Sequence, residues 1–257
     1  QGCVQLGRFG SAGLCQLRPP ASAATHLLRN CIDEIAGLHA LGLIGRDTRE
    51  SGLALEDALW RGLCLRGGGD ALSTGVLPTP ALAWLAAESG RPAAMITASH
   101  NPWSDNGVKV FAPGGRKLSD EVEREIERAL AQQALRDSAT PPPGVADRSS
   151  LPNAGGAYVR HLVRMTGRLD GLSVVLDCAN GAMSAVAPAA FRALGADVRT
   201  IHGEPDGRNI NDHCGATDVA SLSASVVAAG ADIGLAFDGD GDRVIAIDHL
   251  GRTVDGD

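Results

Sequence analysis

Aromatic side chains are scarce in this sequence: four Phe, three Trp and one Tyr among 257 residues. Proteins that hold single-stranded nucleic acid stack bases on aromatic platforms, and this chain has little to build one from. Nor is there an excess of basic residues. Lys and Arg number 23 against 30 Asp and Glu, a formal net charge of −7, which opposes binding to a phosphate backbone. No nucleic-acid partner is expected. No apolar stretch approaches the ~20 residues of a membrane span, so no membrane partner is expected either. The six cysteines, at 3, 15, 31, 64, 178 and 214, include no Cys-x-x-Cys pair. Neither a zinc site nor a disulfide framework is signalled, and incidental thiols in a reducing compartment are the expectation. No secretory signal is recognisable in the chain, which begins with Gln1, and a cytoplasmic location is expected. No repeat of short fixed period is present.

Glycine, by contrast, is abundant at 33 residues, and 44% of the chain is hydrophobic. That composition suits Ala/Val/Leu-packed layers joined by tight turns, with enough apolar material for two ordinary domains. Strand and helix patterns alternate along the chain. Strands are expected at 41–45, 93–97, 108–111, 172–177, 197–201, 232–237 and 244–247, and helices at 55–66, 79–88, 119–136, 158–165, 184–194 and 218–229. Alternation of this kind is the mark of α/β layering. The polar, proline-rich stretch 137–153 breaks it and reads as a linker or long loop.

The most informative segment is Asp238-Gly239-Asp240-Gly241-Asp242-Arg243, set between two apolar runs of strand length. Three carboxylates on one short loop repel each other and call for a cation. All-oxygen donors suit a hard ion such as Mg²⁺. A calcium EF-hand is excluded, because position six of the loop is Arg243 and position twelve is His249, where that motif needs Gly and Glu. Arg243 is either a catalytic cation or a structural partner for the surplus aspartate charge. A second polar loop, Ser99-His100-Asn101-Pro102 through Asp105-Asn106-Gly107, joins the runs 93–97 and 108–111. A serine at the end of a buried strand is well placed for chemistry, although its hydroxyl is a weak nucleophile without a base or metal. Lys109 lies ten residues on and is a candidate proton donor or acceptor.

These two loops together resemble a known superfamily. Thr97-Ala98-Ser99-His100-Asn101-Pro102, followed by Asp105-Asn106-Gly107-Val108-Lys109, is similar to the phosphoserine loop of the α-D-phosphohexomutases, and Asp238 to Arg243 resembles their magnesium loop. Gly45-Arg46-Asp47-Thr48-Arg49 and Gly75-Val76-Leu77-Pro78-Thr79-Pro80 resemble their first domain. Asp177-Cys178-Ala179-Asn180-Gly181-Ala182, Asn209-Ile210-Asn211 and Cys214-Gly215-Ala216-Thr217 are most like the branch acting on glucosamine phosphates.

The resemblance implies two consecutive α/β domains with mixed sheets sandwiched by helices and the active site at the domain interface. Residues 1–150 would carry the phosphoserine loop and 151–257 the metal loop. It implies a phosphoserine at Ser99, Mg²⁺ held by Ser99, Asp238, Asp240 and Asp242, and Lys109, Arg243 and His100 as the catalytic set. The implied substrate is a hexosamine or hexose phosphate, with a hexose 1,6-bisphosphate as intermediate or activator. Mannose and glucose phosphates, or a catalytically silent module that binds Mg²⁺ and phosphate, are the alternatives. Arg46 and Arg49 read as structural loop arginines. Two departures stand out. Cys15 occupies the place of an arginine in the Phe-Gly-Thr-Asp-Gly-Ile-Arg-Gly segment of relatives, and a thiol cannot replace that charge. The sugar-reading and phosphate-clamping domains of relatives have no counterpart here, so the chain is expected to be an N-terminal part with impaired turnover of its own.

Overall fold

The computed structural model describes residues 15–17, 42–65, 71–119, 121–122, 124 and 149–254. Of the helix expected over 119–136, residues 121, 122 and 124 are described and helical; most of the rest of it and of the stretch 137–153 lies outside the described residues. Two five-stranded sheets form. The first contains β1 (Cys15–Leu17), β2 (Leu43–Arg46), β3 (Leu72–Val76), β4 (Ala93–Ile96) and β5 (Asn106–Phe111), in the order β1-β5-β4-β2-β3. The second contains β6 (Ser173–Asp177), β7 (Asp197–Ile201), β8 (Ile233–Phe237), β9 (Val244–Asp248) and β10 (Thr253–Val254), in the order β10-β9-β8-β6-β7. The helices bounded within the described residues are α1 (Gly52–Leu65), α2 (Thr79–Ser89), α3 (Ala154–Met165), α4 (Met183–Ala193) and α5 (Ala220–Ala229).

Both sheets follow one plan. Strand β2 in the first sheet and β6 in the second each pair in parallel with the next two strands, one on either side. The strand that follows those two, β5 or β9, then returns antiparallel against its predecessor. The Ser99 loop joins β4 to β5 and the Asp238 loop joins β8 to β9, so the two loops occupy the same topological position in two similarly wound units. Each leaves the carboxyl end of a central parallel strand, where open α/β sheets place ligands.

The residues explain the elements. Every residue of β4, Ala-Ala-Met-Ile, is buried, which is why it reads as an unbroken apolar run rather than an alternating one. Helix α2 opens behind Pro78 with Pro80 in its first turn and closes on Gly90 at φ 64°, the left-handed cap that glycine adopts without strain. Its Ala81, Leu82 and Ala86 pack with Leu43, Leu77, Met95 and Phe111 into one core. Helix α3 packs against both α2 and α4 and so spans the two units. On the α2 side its His161 stacks on Trp84 with ring centres 4.6 Å apart, and Tyr158 lies tilted against the same ring at 5.7 Å. In the second unit Val174, Leu176 and Ala187 pack on one face of the sheet and Val175, Leu222, Val226 and Ile247 on the other.

Apart from the helix over 119–136, the expected elements are present with shifted ends: α1 begins at Gly52, α3 at Ala154 and β5 at Asn106. Strand β3 was not expected, because Leu-Ser-Thr-Gly-Val reads as turn-rich. It is held as an edge whose outer side is partly covered: Ser73 donates its backbone N–H to Ser149 at 3.0 Å and accepts from Leu151 at 2.8 Å. The end of the expected linker is therefore tied to the first sheet. Among the described residues no helix is long and apolar enough to cross a membrane.

Leu82 has no exposed surface, whereas Leu250 is 57% exposed. Leu82→Ala is expected to cost about 2–5 kcal/mol of stability and Leu250→Ala within about 0.5 kcal/mol, measured by urea unfolding. Equal losses would contradict this core.

Candidate functional site

The two loops meet. Ser99, 2% exposed, donates its hydroxyl to Asp238 Oδ2 at 2.6 Å. Asp240 Oδ2 accepts hydrogen bonds from Thr79 Oγ1 at 2.6 Å and from Lys109 Nζ at 2.7 Å. The same ammonium reaches Asp242 Oδ2 at 2.8 Å. Approach is close enough that a Cβ on Gly239 would stand 2.6 Å from the Ser99 carbonyl oxygen, a contact only glycine avoids. Ser99 itself has φ 52°, a left-handed backbone uncommon for a residue with a side chain and found where surrounding structure enforces it.

That enforcement comes from Arg49 and Asp47. Asp47 is fully buried and Arg49 is 1% exposed. Arg49 Nε donates to Asp47 Oδ2 at 2.9 Å. Its remaining four N–H groups reach the carbonyl oxygens of Ser99, Asn101 and Asp105, each at 2.9 Å, and of Pro102. All five guanidinium donors are thereby used on one loop and its support. Asp47 Oδ2 also accepts from Thr97 Oγ1 at 2.7 Å, and Thr97 Oγ1 accepts the Ser99 N–H at 2.9 Å. From the second unit, Asn211 Nδ2 donates to the carbonyls of Ser99 at 2.9 Å and Asn101 at 3.1 Å. Thr48 Oγ1 donates to the Asn180 carbonyl at 2.6 Å, a further tie between the units.

Charge is balanced unevenly. Burial and the adjacent Asp240 carboxylate push the Asp238 carboxyl up to about 7. Burial also opposes the charged form of Asp240, but the Lys109 ammonium outweighs it and holds that carboxyl below its ordinary value. Burial alone would lower Lys109; Asp240 and Asp242 outweigh it and the ammonium is raised. The ammonium form of Lys109 is thereby favoured. His100 and Arg243 are exposed at the rim. Partial burial and the Arg243 charge lower His100. Arg243 stands 3.9 Å from Asp242 Oδ1, and its backbone N–H donates to Asp238 Oδ1 at 3.2 Å.

The structure therefore brings Ser99, Lys109, Asp238, Asp240 and Asp242 into one cluster and sets His100 and Arg243 at its edge. Asp47, Arg49, Thr79, Thr97 and Asn211 were not singled out as site residues from the sequence. Each lies in a segment that resembles the superfamily, and Arg49 reads there as a structural loop arginine; the pair Asp47 and Arg49 becomes informative when both charges prove buried. The donor set fits a hard divalent cation. Oxygens of Asp238, Asp240 and Asp242 lie within 4.8 Å of one another, and Asp240 Oδ1 is buried with no hydrogen-bond partner, a free oxygen suited to coordination.

Comparison with known proteins identifies the family and the fold. Residues 28–137 match the family model for phosphoglucomutase/phosphomannomutase alpha/beta/alpha domain I, and residues 156–251 match that for domain II. The chain is 50% identical over 258 residues to a phosphoglucosamine mutase of Rhodococcus opacus and 52% identical over 258 residues to one of Moorella thermoacetica. Each alignment covers 98% of this chain and 58% or 57% of the relative. The chain thus spans a little under three-fifths of the length of these relatives. Among solved structures, a phosphoglucomutase/phosphomannomutase family protein from Burkholderia thailandensis superposes with a TM-score of 0.75 at 26% identity, over 95% of this chain and 55% of the other.

Two outcomes follow from the geometry. Arg49→Ala strands the buried Asp47 charge and releases four loop carbonyls, and is expected to cost about 3–5 kcal/mol by chemical denaturation; a loss under about 1 kcal/mol would mean that other contacts hold the loop. Protons and a divalent cation compete for Asp238 below about pH 7. Mg²⁺ affinity measured by calorimetry should fall roughly tenfold from pH 8 to pH 6, and a pH-independent affinity would remove Asp238 from the ligand set.

Proposed function

This chain belongs to the phosphoglucomutase/phosphomannomutase family, and from that premise we propose that it supplies the phosphoryl-transfer half of a phosphoglucosamine mutase, an isomerase that interconverts glucosamine 6-phosphate and glucosamine 1-phosphate. The observation that carries the reading is the 2.6 Å contact between Ser99 Oγ and Asp238, made across two units and set beside Lys109 at 2.7 Å from Asp240. Identity of about half to named phosphoglucosamine mutases supports the choice of sugar. The division into domains 1–150 and 151–257 is part of the proposal, supported by the two separate sheets. A cytoplasmic location accompanies it.

Ser99 is the phosphoryl carrier. Its backbone is fixed by Arg49, Thr97 and Asn211, so the hydroxyl is presented at one place; positioning of this kind supplies much of the rate in phosphoryl transfer. Asp238, Asp240, Asp242 and the Ser99 oxygen would hold Mg²⁺, which when bound neutralises charge on the transferring phosphoryl oxygens. Lys109 places a permanent positive charge beside Ser99 and has a proton to give to a leaving oxygen. Arg243 and His100, at the rim, face the solvent side from which a sugar phosphate enters. The sugar's free hydroxyl takes the phosphoryl group from Ser99, giving a bisphosphate, and the sugar's other phosphate returns to Ser99.

Cys15 bears on efficiency. Strand β1 sets it opposite Val108, the neighbour of Lys109, so an arginine at this place would stand on the strand next to the site's cation.

Incubation with glucose 1,6-bisphosphate and Mg²⁺, followed by intact-mass spectrometry, is expected to add one phosphate to the chain and none to Ser99→Ala. Cys15→Arg should raise the extent of labelling. An adduct that persists in Ser99→Ala would remove the serine from the carrier role.

A further inference from the structure

A second cluster of donors lies at the amino end of the loop after β6. Asp177 and Cys214 are fully buried, and His202, whose side chain is 31% exposed, brings its Nδ1 to 3.0 Å from Asp177 Oδ2. Donor atoms of all three lie within 4.8 Å of one another. The His202–Asp177 contact has the distance of a hydrogen bond but not its direction: His202 Nδ1 is buried and has no hydrogen-bond partner. A buried polar atom left in this way calls for a water, an ion or another account.

We propose that Asp177, His202 and Cys214 form a second cation site, selective for a borderline transition-metal ion of the Zn²⁺ class and separate from the aspartate loop. The donor set is oxygen, nitrogen and sulfur, which suits Zn²⁺ and disfavours Mg²⁺. Distances agree with the assignment. Bonds of about 2.0–2.2 Å to oxygen and nitrogen place tetrahedral donors roughly 3.3 Å apart, a few tenths of an ångström from the 3.0 Å present between His202 and Asp177. A sulfur bonded at about 2.3 Å needs to stand roughly 3.6 Å from each, inside the 4.8 Å within which all three donors already lie. The carboxylate is oriented in advance: Asp177 Oδ1 accepts the Ala179 N–H and Oδ2 the Gly215 N–H, both at 2.9 Å. Outer hydrogen bonds of this kind are how proteins aim a metal ligand.

Three protein donors leave one tetrahedral position open. A polar cavity of about 520 Å³, lined by His202 together with Thr200, Asn180, Glu204 and Ser184, meets the cluster at His202. Thr200 Oγ1 is another buried polar atom without a partner. A plain His202–Asp177 ion pair is the competing account; it explains the proximity but neither the missing hydrogen-bond direction nor the thiol in the same cluster. The site also touches the proposed chemistry. A Cβ on Gly215 would stand 2.4 Å from the Phe237 carbonyl, so the turn that carries Cys214 is packed on the strand that delivers Asp238.

The test uses the full metal-stripped chain with excess Mg²⁺ present, and Co²⁺ as a spectroscopic probe. One equivalent of Co²⁺ should bind with a thiolate-to-metal charge-transfer band that Zn²⁺ abolishes and further Mg²⁺ does not. Cys214→Ser should lose the band, His202→Asn should weaken Co²⁺ binding at least tenfold, and Asp240→Asn should keep both. A band that persists in Cys214→Ser, or is lost in Asp240→Asn, would assign the ion elsewhere and overturn the proposal. Should circular dichroism show that Cys214→Ser is unfolded, the partly exposed His202→Asn decides: unchanged Co²⁺ affinity there overturns the site as well.

Discussion

A buried guanidinium is the element on which the rest of the site depends. Arg49 has no access to water, and every donor it possesses goes to Asp47 or to a carbonyl of the Ser99 loop. Desolvating a charge is expensive, and a buried pair is retained only where its hydrogen bonds are complete. Here completeness has a structural by-product. Four carbonyls that would otherwise face solvent are turned inward, and the loop is drawn into a curve with Ser99 in a left-handed conformation at its start. Asn211 repeats the device from the other unit with an amide in place of a guanidinium. The serine is held by its backbone, leaving its hydroxyl as the free part.

The two sheets then solve an electrostatic problem by sharing it. Three carboxylates on one loop repel each other, and without a bound cation the protein offers one ammonium. Lys109 bridges Asp240 and Asp242, while Asp238 accepts the serine hydroxyl and has its carboxyl pushed up to about 7 by burial and the Asp240 charge. The unit that carries the serine also supplies the lysine and Thr79; the unit that carries the aspartates supplies Asn211. Each loop is incomplete without the other, although both issue from the same place in the same fold plan.

Much of this was legible in the sequence, and the reasons for what was not are physical. Strands such as Ala93–Ile96 and Ile233–Phe237 announce themselves because they are apolar and bounded by turn residues. Leu72–Val76 does not, because an edge strand needs little apolar surface and its Ser, Thr and Gly read as turn chemistry. Helix starts were placed late at Leu55 and Tyr158 because the first turns, from Gly52 and Ala154, carry small residues with no periodic signal. The aspartate and serine loops were visible as local clusters. The role of Arg49 was not, since it depends on burial and on carbonyls up to 56 positions away. The cluster of Asp177, His202 and Cys214 follows no ligand spacing and exists only because the ends of β6 and β7 and the turn at 214–215 converge.

Ser99 and Asp238 are separated by 139 positions in the chain. During synthesis at ~5–20 residues per second, the first unit can fold on the order of ten seconds before the aspartate loop exists. For that interval Ser99 sits on a finished sheet beside a lysine whose carboxylate partners have not yet been made. The serine hydroxyl is then unguarded beside a lone ammonium, and both gain their carboxylate partners only when the second unit docks.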